Sequence, residues 1–297
     1  MKTNISRKIF VTFNILFLVV IGLICVLPFI NLLAISFSNK DAVTTGQVTF
    51  LPVGFTTGSY TFITHNSAFM KGLGVSILRV ILGVSINLTL IVLTSYPLSK
   101  SKEQFRLRAV YSWFFVLTIL FNPGLIPSFM VVRYTGLLDK IWALVLPGAL
   151  PVFSMLVVMN YIRSLPKELE EAAFIDGASH MQTLLRVILP VCTPTIATVA
   201  LFSFVGHWNS WFDGLIYMRF ADHYPLQTYL QTVVIKPEIF FANSTNLSQD
   251  LHILLNYVNA RTTSAAQLFL GTIPILLVYP FLQKYFASGL VVGSVKG

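Results

Sequence analysis

The chain has 297 residues, of which 55% are hydrophobic and only 10% are charged, and its mean hydropathy is +0.77. This composition is far too apolar for an ordinary water-soluble domain and indicates a membrane protein. The formal net charge of +9 comes from short clusters between long apolar runs, a distribution that argues against nucleic-acid binding. Cys25 and Cys192 lie in or beside different apolar runs, so the sequence predicts neither a disulfide nor a zinc site.

Six apolar stretches are long enough to cross the roughly 30 Å of hydrocarbon in a bilayer. The predicted spans cover residues 9–37, 73–98, 108–132, 140–162, 191–218 and 264–286. The third span contains Asn122, Pro123, Gly124 and Pro127, so we expect it to break there into an interfacial turn. The predicted fold class is an all-α membrane protein with six transmembrane helices in one domain over residues 1–297.

The orientation in the membrane follows from the basic residues. The first apolar run resembles a signal peptide, but it is too long and lacks a small-residue cleavage site, so we retain it as an uncleaved span. With the N-terminus inside, cytoplasmic segments hold twelve basic residues: Lys2, Arg7, Lys8, Lys100, Lys102, Arg106, Arg108, Arg163, Lys167, Arg186, Lys284 and Lys296. The outer segments hold seven: Lys40, Lys71, Arg133, Lys140, Arg219, Lys236 and Arg261. The positive-inside rule therefore predicts that both termini are cytoplasmic.

Several catalytic motifs are absent from the sequence. There is no Gly-Lys dipeptide and hence no P-loop, and no GxGxxG, HExxH or GxSxG pattern occurs. The five histidines are scattered over segments of different depth, which disfavours a shared metal site or a proton relay. We therefore predict no catalytic residues and no metal ligands, and a membrane-embedded enzyme is disfavoured.

The longest polar stretch on the predicted cytoplasmic side is the loop of residues 164–190. Its first half predicts a helix, because Pro166 suits a first helical turn and the glutamates that follow complement the positive end of the helix dipole. Leu165, Leu169, Ala172 and Ala173 form an apolar stripe on this helix.

The second half of this loop predicts a turn and another helix. Gly177 is placed to end the first helix in a left-handed conformation, and Ser179 with Gln182 forms a capping box that opens the next helix. Met181, Leu184, Leu185 and Ile188 repeat at helical spacing, and Pro190 marks the entrance to the fifth span.

Two interpretations of this loop compete. It could be an amphipathic segment resting on lipid headgroups, but its first helix is acidic, whereas helices attracted to an anionic inner leaflet are basic. The small Ala172, Ala173 and Gly177 permit close approach by another protein. Docking of a partner is therefore the favoured interpretation.

Glu171-Ala172-Ala173, Asp176-Gly177-Ala178 and Leu189-Pro190 resemble the EAA loop of permease subunits in bacterial ABC importers. That loop couples the permease to its ATPase, so we call residues 164–190 the coupling loop. Val187 departs mildly from that motif, which usually has Ile. The similarity to the LplC-type branch of carbohydrate permeases continues through most of the chain, in 95–100, 136–139, 206–213, 224–227, 279–285 and the Gly-Ser-Val-Lys-Gly tail.

The resemblance implies a type I ABC importer permease fold and a location in the bacterial cytoplasmic membrane. The implied partners are a second homologous permease, two cytoplasmic ATPase subunits that bind ATP and Mg, and an extracytoplasmic solute-binding protein that delivers an oligosaccharide. The chain itself is expected to hold no cofactor. The implied ATPase-docking residues are Glu170, Glu171, Ala172, Ala173, Asp176, Gly177, Ala178, Leu189 and Pro190. Because Pro190 directly follows the docked helix, we expect the fifth span to move with it as a rigid body.

Polar groups inside the spans are the candidates for a substrate path, because they are costly in lipid and usually face a cavity or a partner helix. This criterion selects Arg79, Asn87, His207, Asn209 and Asp213. Aromatic faces stack on sugar rings, which adds Trp208, Trp211 and Phe212.

On a continuous fifth helix, the pairs Trp208 with Trp211 and Asn209 with Asp213 would largely share one side. Two alternatives stay open: the aromatic residues could form an interfacial belt, and Arg79 could snorkel to the surface.

The outer segments, roughly residues 38–72 and 219–263, are long for connections between spans, and we expect them to meet the binding protein. The sequence as a whole favours one permease subunit of an ATP-driven carbohydrate importer. An ion-coupled secondary sugar carrier is the alternative, and it would need no ATPase.

Overall fold

The computed structural model describes residues 5–235 and 259–294, which form helices and connecting loops without a strand. They belong to two compact units, one of Met1–Met70 with Leu230–Ile273 and one of Lys71–Tyr229 with Pro274–Gly297. Much of the predicted outer segment 219–263 lies outside the described residues. The single domain over residues 1–297 stays a prediction.

The α-helices, labelled in chain order, are α1 Ile5–Ser36, α2 Lys40–Thr44, α3 Gly58–Thr64, α4 Ser67–Ser99, α5 Arg108–Leu120, α6 Leu125–Tyr134, α7 Trp142–Val145, α8 Val152–Ser164, α9 Glu168–Ile175, α10 His180–Thr183, α11 Leu189–Val191, α12 Thr193–Asn209, α13 Phe212–Tyr217, α14 Leu226–Ile235 and α15 Ala260–Ser294. Leu146–Gly148 and Ala221–His223 form short 3₁₀ turns, and Leu184–Ile188 is π-helical.

Three helices are individually long and apolar enough to cross a membrane, over Arg7–Ser36, Ser67–Ser99 and Ala260–Pro280. Three further spans are bent pairs: Arg108–Leu120 with Leu125–Tyr134 at 118°, Trp142–Gly148 with Val152–Ser164 at 48°, and His180–Val191 with Thr193–Asn209 at 83°. Counting each pair once gives six spans among the described residues. The predicted all-α, six-span fold class is confirmed.

The third span breaks where its sequence predicts. The main chain leaves α5 at Phe121, the side-chain oxygen of Asn122 accepts the N–H of Gly124 at 2.9 Å, and Gly124 has φ +82°. This φ lies in the region that glycine adopts without strain. The chain therefore reverses sharply between α5 and α6.

The fifth span differs from its predicted course at both ends. The predicted helix over residues 191–218 is wrong, because α12 ends at Asn209 and Ser210 is extended with ψ 123°. Beyond this break, the carbonyl of Trp211 accepts the hydroxyl of Thr228 at 2.7 Å. At the other end the chain bends by 83° at Cys192, and Pro194 lies in the first turn of α12, where its missing N–H costs no helical hydrogen bond. The coupling loop therefore does not run straight into the fifth span.

In the first unit, a small core joins the end of α1 to α2 and α15. Ala34 and Ile35 pack with Val43, Val48 and Ala265. From Arg7 to Ile30, by contrast, every side chain of α1 is exposed. An apolar surface of this extent needs lipid or another protein against it.

The core of the second unit is built by α4, α8, the π-helical turn and α12. Ile91, Met155, Val158, Ile188 and Val199 are each at most 2% exposed within it. This core holds α4 against α12 along the cleft described below, and it anchors the coupling loop.

Candidate functional site

A cleft of about 540 Å³ opens in the second unit between α4, the α7–α8 segment and α12–α13. Its polar lining consists of Arg79, Asn87, Ser154, Ser203, His207, Ser210, Asp213 and Tyr217. The cleft thus brings together four polar residues that the sequence selected from two different spans: Arg79, Asn87, His207 and Asp213.

Arg79 and Asp213 form an ion pair at this cleft. Arg79 is only 2% exposed, and its Nη1 donates to the carbonyl of Ser210 at 3.2 Å and to Oδ1 of Asp213 at 3.1 Å. The same Oδ1 accepts the hydroxyl of Ser210 at 2.8 Å and the N–H of Gly214 at 2.9 Å. Arg79 is therefore buried and paired, so the snorkelling alternative is wrong.

A second polar group lies along α4 and α12. The side-chain oxygen of Asn87 accepts from Ser203 at 2.8 Å and from Nε2 of His207 at 3.2 Å, and its NH₂ donates to the carbonyls of Gly83 and Ala149 at 3.0 Å each. Asn87 is 4% exposed. All four hydrogen-bonding positions of this buried amide are used, as a polar group inside a membrane helix requires.

The predicted aromatic part of the path is not in the cleft. Trp208 is 2% exposed and stacks on Phe204 with ring centroids 6.3 Å apart. Asn209, Trp211 and Phe212 are exposed, and none of them lines the cleft. The predicted shared side fails because the helix stops at Asn209, so a rotation of roughly 100° per residue does not continue to Asp213.

The sequence reasoning missed four polar residues that line the cleft, Ser154, Ser203, Ser210 and Tyr217, and it also missed the packing of Gly83 against His207. Ser203 bonds to Asn87, and Gly83 is where α4 meets the ring of His207. The sequence could have indicated Gly83 and Ser203, because each lies four residues before a selected residue, Asn87 or His207, and therefore shares a helix face with it.

The coupling loop is a helix, a tight turn and a second helix. α9 ends in a Schellman motif, in which Ala178 N–H donates to Ala173 at 2.9 Å and Gly177 N–H donates to Phe174 at 3.0 Å. Gly177 has φ +80°, and Ser179 with Gln182 forms a reciprocal capping box. Both local predictions are confirmed.

The implied docking residues differ in how far they are exposed to solvent. Ala173 is buried, while Ala178 and Leu189 are partly buried. The exposed members are Glu171, Ala172, Asp176, Gly177 and Pro190. Glu170 stands apart, because its carboxylate pairs with Lys100.

Lys100 lies one residue beyond α4 at the edge of a second cleft of about 380 Å³, which α9 also lines. Its side chain is 10% exposed, and that of Glu170 is 17% exposed. Burial lowers the pKa of the Lys100 ammonium below its usual value, although the hydrogen bond and charge of Glu170 oppose this shift.

Among residues 5–235 and 259–294, no three histidine, cysteine or acidic side chains lie close enough to hold a metal ion together. Cys25 and Cys192 are both free thiols, Cys25 exposed and Cys192 buried.

Comparison with known proteins places these features in a family. Residues 77–292 match the family described as "Binding-protein-dependent transport system inner membrane component". The chain is 36% identical to Protein LplC of Bacillus subtilis strain 168, over 100% of this chain and 98% of that protein. It is 34% identical to the polygalacturonan/rhamnogalacturonan transport system permease protein YtcP of the same strain, over 95% and 96% of the two chains.

Among solved structures, the chain resembles a subunit of a bacterial ABC transporter involved in the import of the acidic polysaccharide alginate. The TM-score is 0.85 at 31% identity, covering 96% of this chain and 99% of that one. The family match spans well over half of the chain and includes the cleft and the coupling loop. The chain therefore belongs to the binding-protein-dependent transport system inner membrane components.

Proposed function

We propose that this chain is the permease subunit of an ATP-driven importer that carries an oligosaccharide. The cleft is the observation that carries the proposal, because it places hydroxyl and carboxylate groups beside membrane helices, where they can hydrogen-bond sugar hydroxyls. The names of YtcP and of the alginate transporter support a saccharide substrate. The path would be completed by a second homologous permease, and an extracytoplasmic binding protein would deliver the substrate.

ATP hydrolysis would be performed by two separate cytoplasmic subunits that also bind Mg. The sequence has no P-loop. A small, acidic surface to which an ATPase can bind is formed by four exposed residues: Glu171, Ala172, Asp176 and Gly177. The permease itself would need no cofactor.

The proposed orientation has both termini in the cytoplasm. It can be tested with single cysteines in a background that lacks Cys25 and Cys192. Ser179→Cys should react with an impermeant thiol reagent from the cytoplasmic side only, and Phe220→Cys, at a side chain that is 62% exposed, from the outside only. Labelling of both from one side would overturn the topology.

Purification from native membranes, followed by reconstitution, tests the function itself. A tagged chain should bring down an ATPase and a second six-helix protein. Proteoliposomes of that complex should accumulate neutral or uronic-acid oligosaccharides only with ATP and the binding protein. Accumulation by this chain alone, driven by an ion gradient, would support the secondary carrier instead.

A further inference from the structure

One carboxylate of α9 points into the protein. Glu170 bonds to Lys100, and Nζ of Lys100 also lies 3.8 Å from the centre of the Tyr96 ring. Tyr96 is 6% exposed and belongs to the last turns of α4. The ammonium is therefore held from two sides, by a carboxylate from the coupling loop and by an aromatic face from α4.

The same end of α4 is held by two guanidinium groups. Nη2 of Arg163, at the end of α8, donates to the carbonyl of Leu98 at 2.7 Å. Nη1 of Arg108, at the start of α5, donates to the carbonyl of Lys100 at 2.8 Å. The last carbonyls of a helix have no partner within it, so these bonds fasten the helix end to its neighbours.

α4 connects this end to the cleft without a break. It is helical from Ser67 to Ser99 and carries Arg79, Gly83 and Asn87. Arg79 lies 21 residues before Lys100, a distance of about 30 Å along a helix axis. A displacement applied at Lys100 can therefore reach the cleft along a single helix, which includes Pro97 in its last turn. The route through Pro190 must instead pass the 83° bend before α12.

We propose that Lys100 and Glu170 are positioning residues that form a latch, through which movement of the coupling loop is passed to α4 and on to the cleft. The proposal rests on the proposed function, because it assumes an ATPase that moves the loop. It separates two roles within one helix: Glu171, Ala172 and Asp176 present the surface for the ATPase, and Glu170 transmits the motion. Loss of the ion pair between Lys100 and Glu170 leaves ATPase binding intact but uncouples ATP hydrolysis from transport.

The test is charge reversal in the reconstituted complex with its ATPases and binding protein. Glu170→Lys and Lys100→Glu should each lower the saccharide imported per ATP hydrolysed by about fivefold or more, while the ATPase still co-purifies. The double swap should recover most of this ratio. Glu170→Gln is a nearly isosteric second variant, which keeps the test valid if a reversal impairs folding.

Lys102 and Glu103 supply a matched control in the same unit, because both side chains are exposed in the loop between α4 and α5 and exposed charges contribute little. Lys102→Glu and Glu103→Lys should leave the ratio unchanged. If Glu170→Gln and both reversals keep the wild-type ratio, or if they lose the ATPase subunit, the latch is overturned. If the wild-type complex imports no saccharide, the proposed function fails and the latch fails with it.

Discussion

A Cβ atom on Gly83 would lie 2.4 Å from Nε2 of His207, so α4 reaches the ring of His207 only because residue 83 has no side chain. Gly83→Ala should push the ring aside and break its hydrogen bond with Asn87. Overpacking of this kind costs about 1–3 kcal/mol, so we expect a lower thermal midpoint of the purified complex and reduced uptake.

The control for this substitution lies on the same helix. Gly74 would have nothing within 4 Å of an added Cβ. Gly74→Ala should therefore leave both measurements near wild type. Equal effects of the two substitutions on the thermal midpoint and on uptake would show that the contact with His207 is not the reason why residue 83 must be glycine.

The ion pair of Arg79 and Asp213 gives a second prediction. Asp213→Ala leaves the charge of Arg79 unpaired at a site where it is 2% exposed, and breaking a buried pair typically costs about 3–5 kcal/mol. The complex should unfold at clearly lower temperature or fail to assemble. The double variant Arg79→Leu, Asp213→Leu should be more stable than Asp213→Ala, since no buried charge is left over. A double variant less stable than the single one would contradict this account.

The turn after α9 gives a third prediction. Proline cannot adopt the φ of +80° seen at Gly177, whereas asparagine tolerates it. Gly177→Pro should abolish transport and its coupling to ATP hydrolysis while the chain still inserts in the membrane, and Gly177→Asn should retain most activity. Uptake and ATPase activity of both variants are measured on the same preparations. Normal uptake by Gly177→Pro would contradict this prediction.

The two tryptophans near the end of α12 should respond differently. Trp208→Ala removes a ring that is 2% exposed, which should cost about 3–5 kcal/mol of stability. Trp211 is 38% exposed, so Trp211→Ala should allow the complex to purify. Reduced uptake by that variant would support the predicted sugar contact.

Asn209→Ala completes this comparison, because Asn209 is also exposed and lies outside the cleft. If Trp211→Ala blocks assembly and Asn209→Ala leaves uptake unchanged, the exposed residues serve packing or the interfacial belt. The path must then be sought among the residues of the cleft.

The sequence by itself determined the features that depend on neighbouring residues. The six apolar runs, the break at Gly124, the capping box of Ser179 and the turn at Gly177 follow from hydrophobicity and from the φ and capping preferences of short segments. These preferences act locally, so each feature could be predicted without knowing where the rest of the chain lies.

The tertiary structure alone decided which polar groups meet. Arg79 and Asp213 are 134 residues apart, and Asn87 and His207 are 120 residues apart. The turn of Glu170 toward Lys100 likewise depends on the packing of α9 against the end of α4. The helix break at Ser210 lies next to Trp211, whose carbonyl accepts a hydrogen bond from Thr228, 17 residues along the chain. Helical spacing in the sequence does not reveal such a partner. Hydrogen bonds to residues distant in sequence compete with local helix propensity. They prevail at the end of α12, so the helix that the sequence pattern predicts does not continue there.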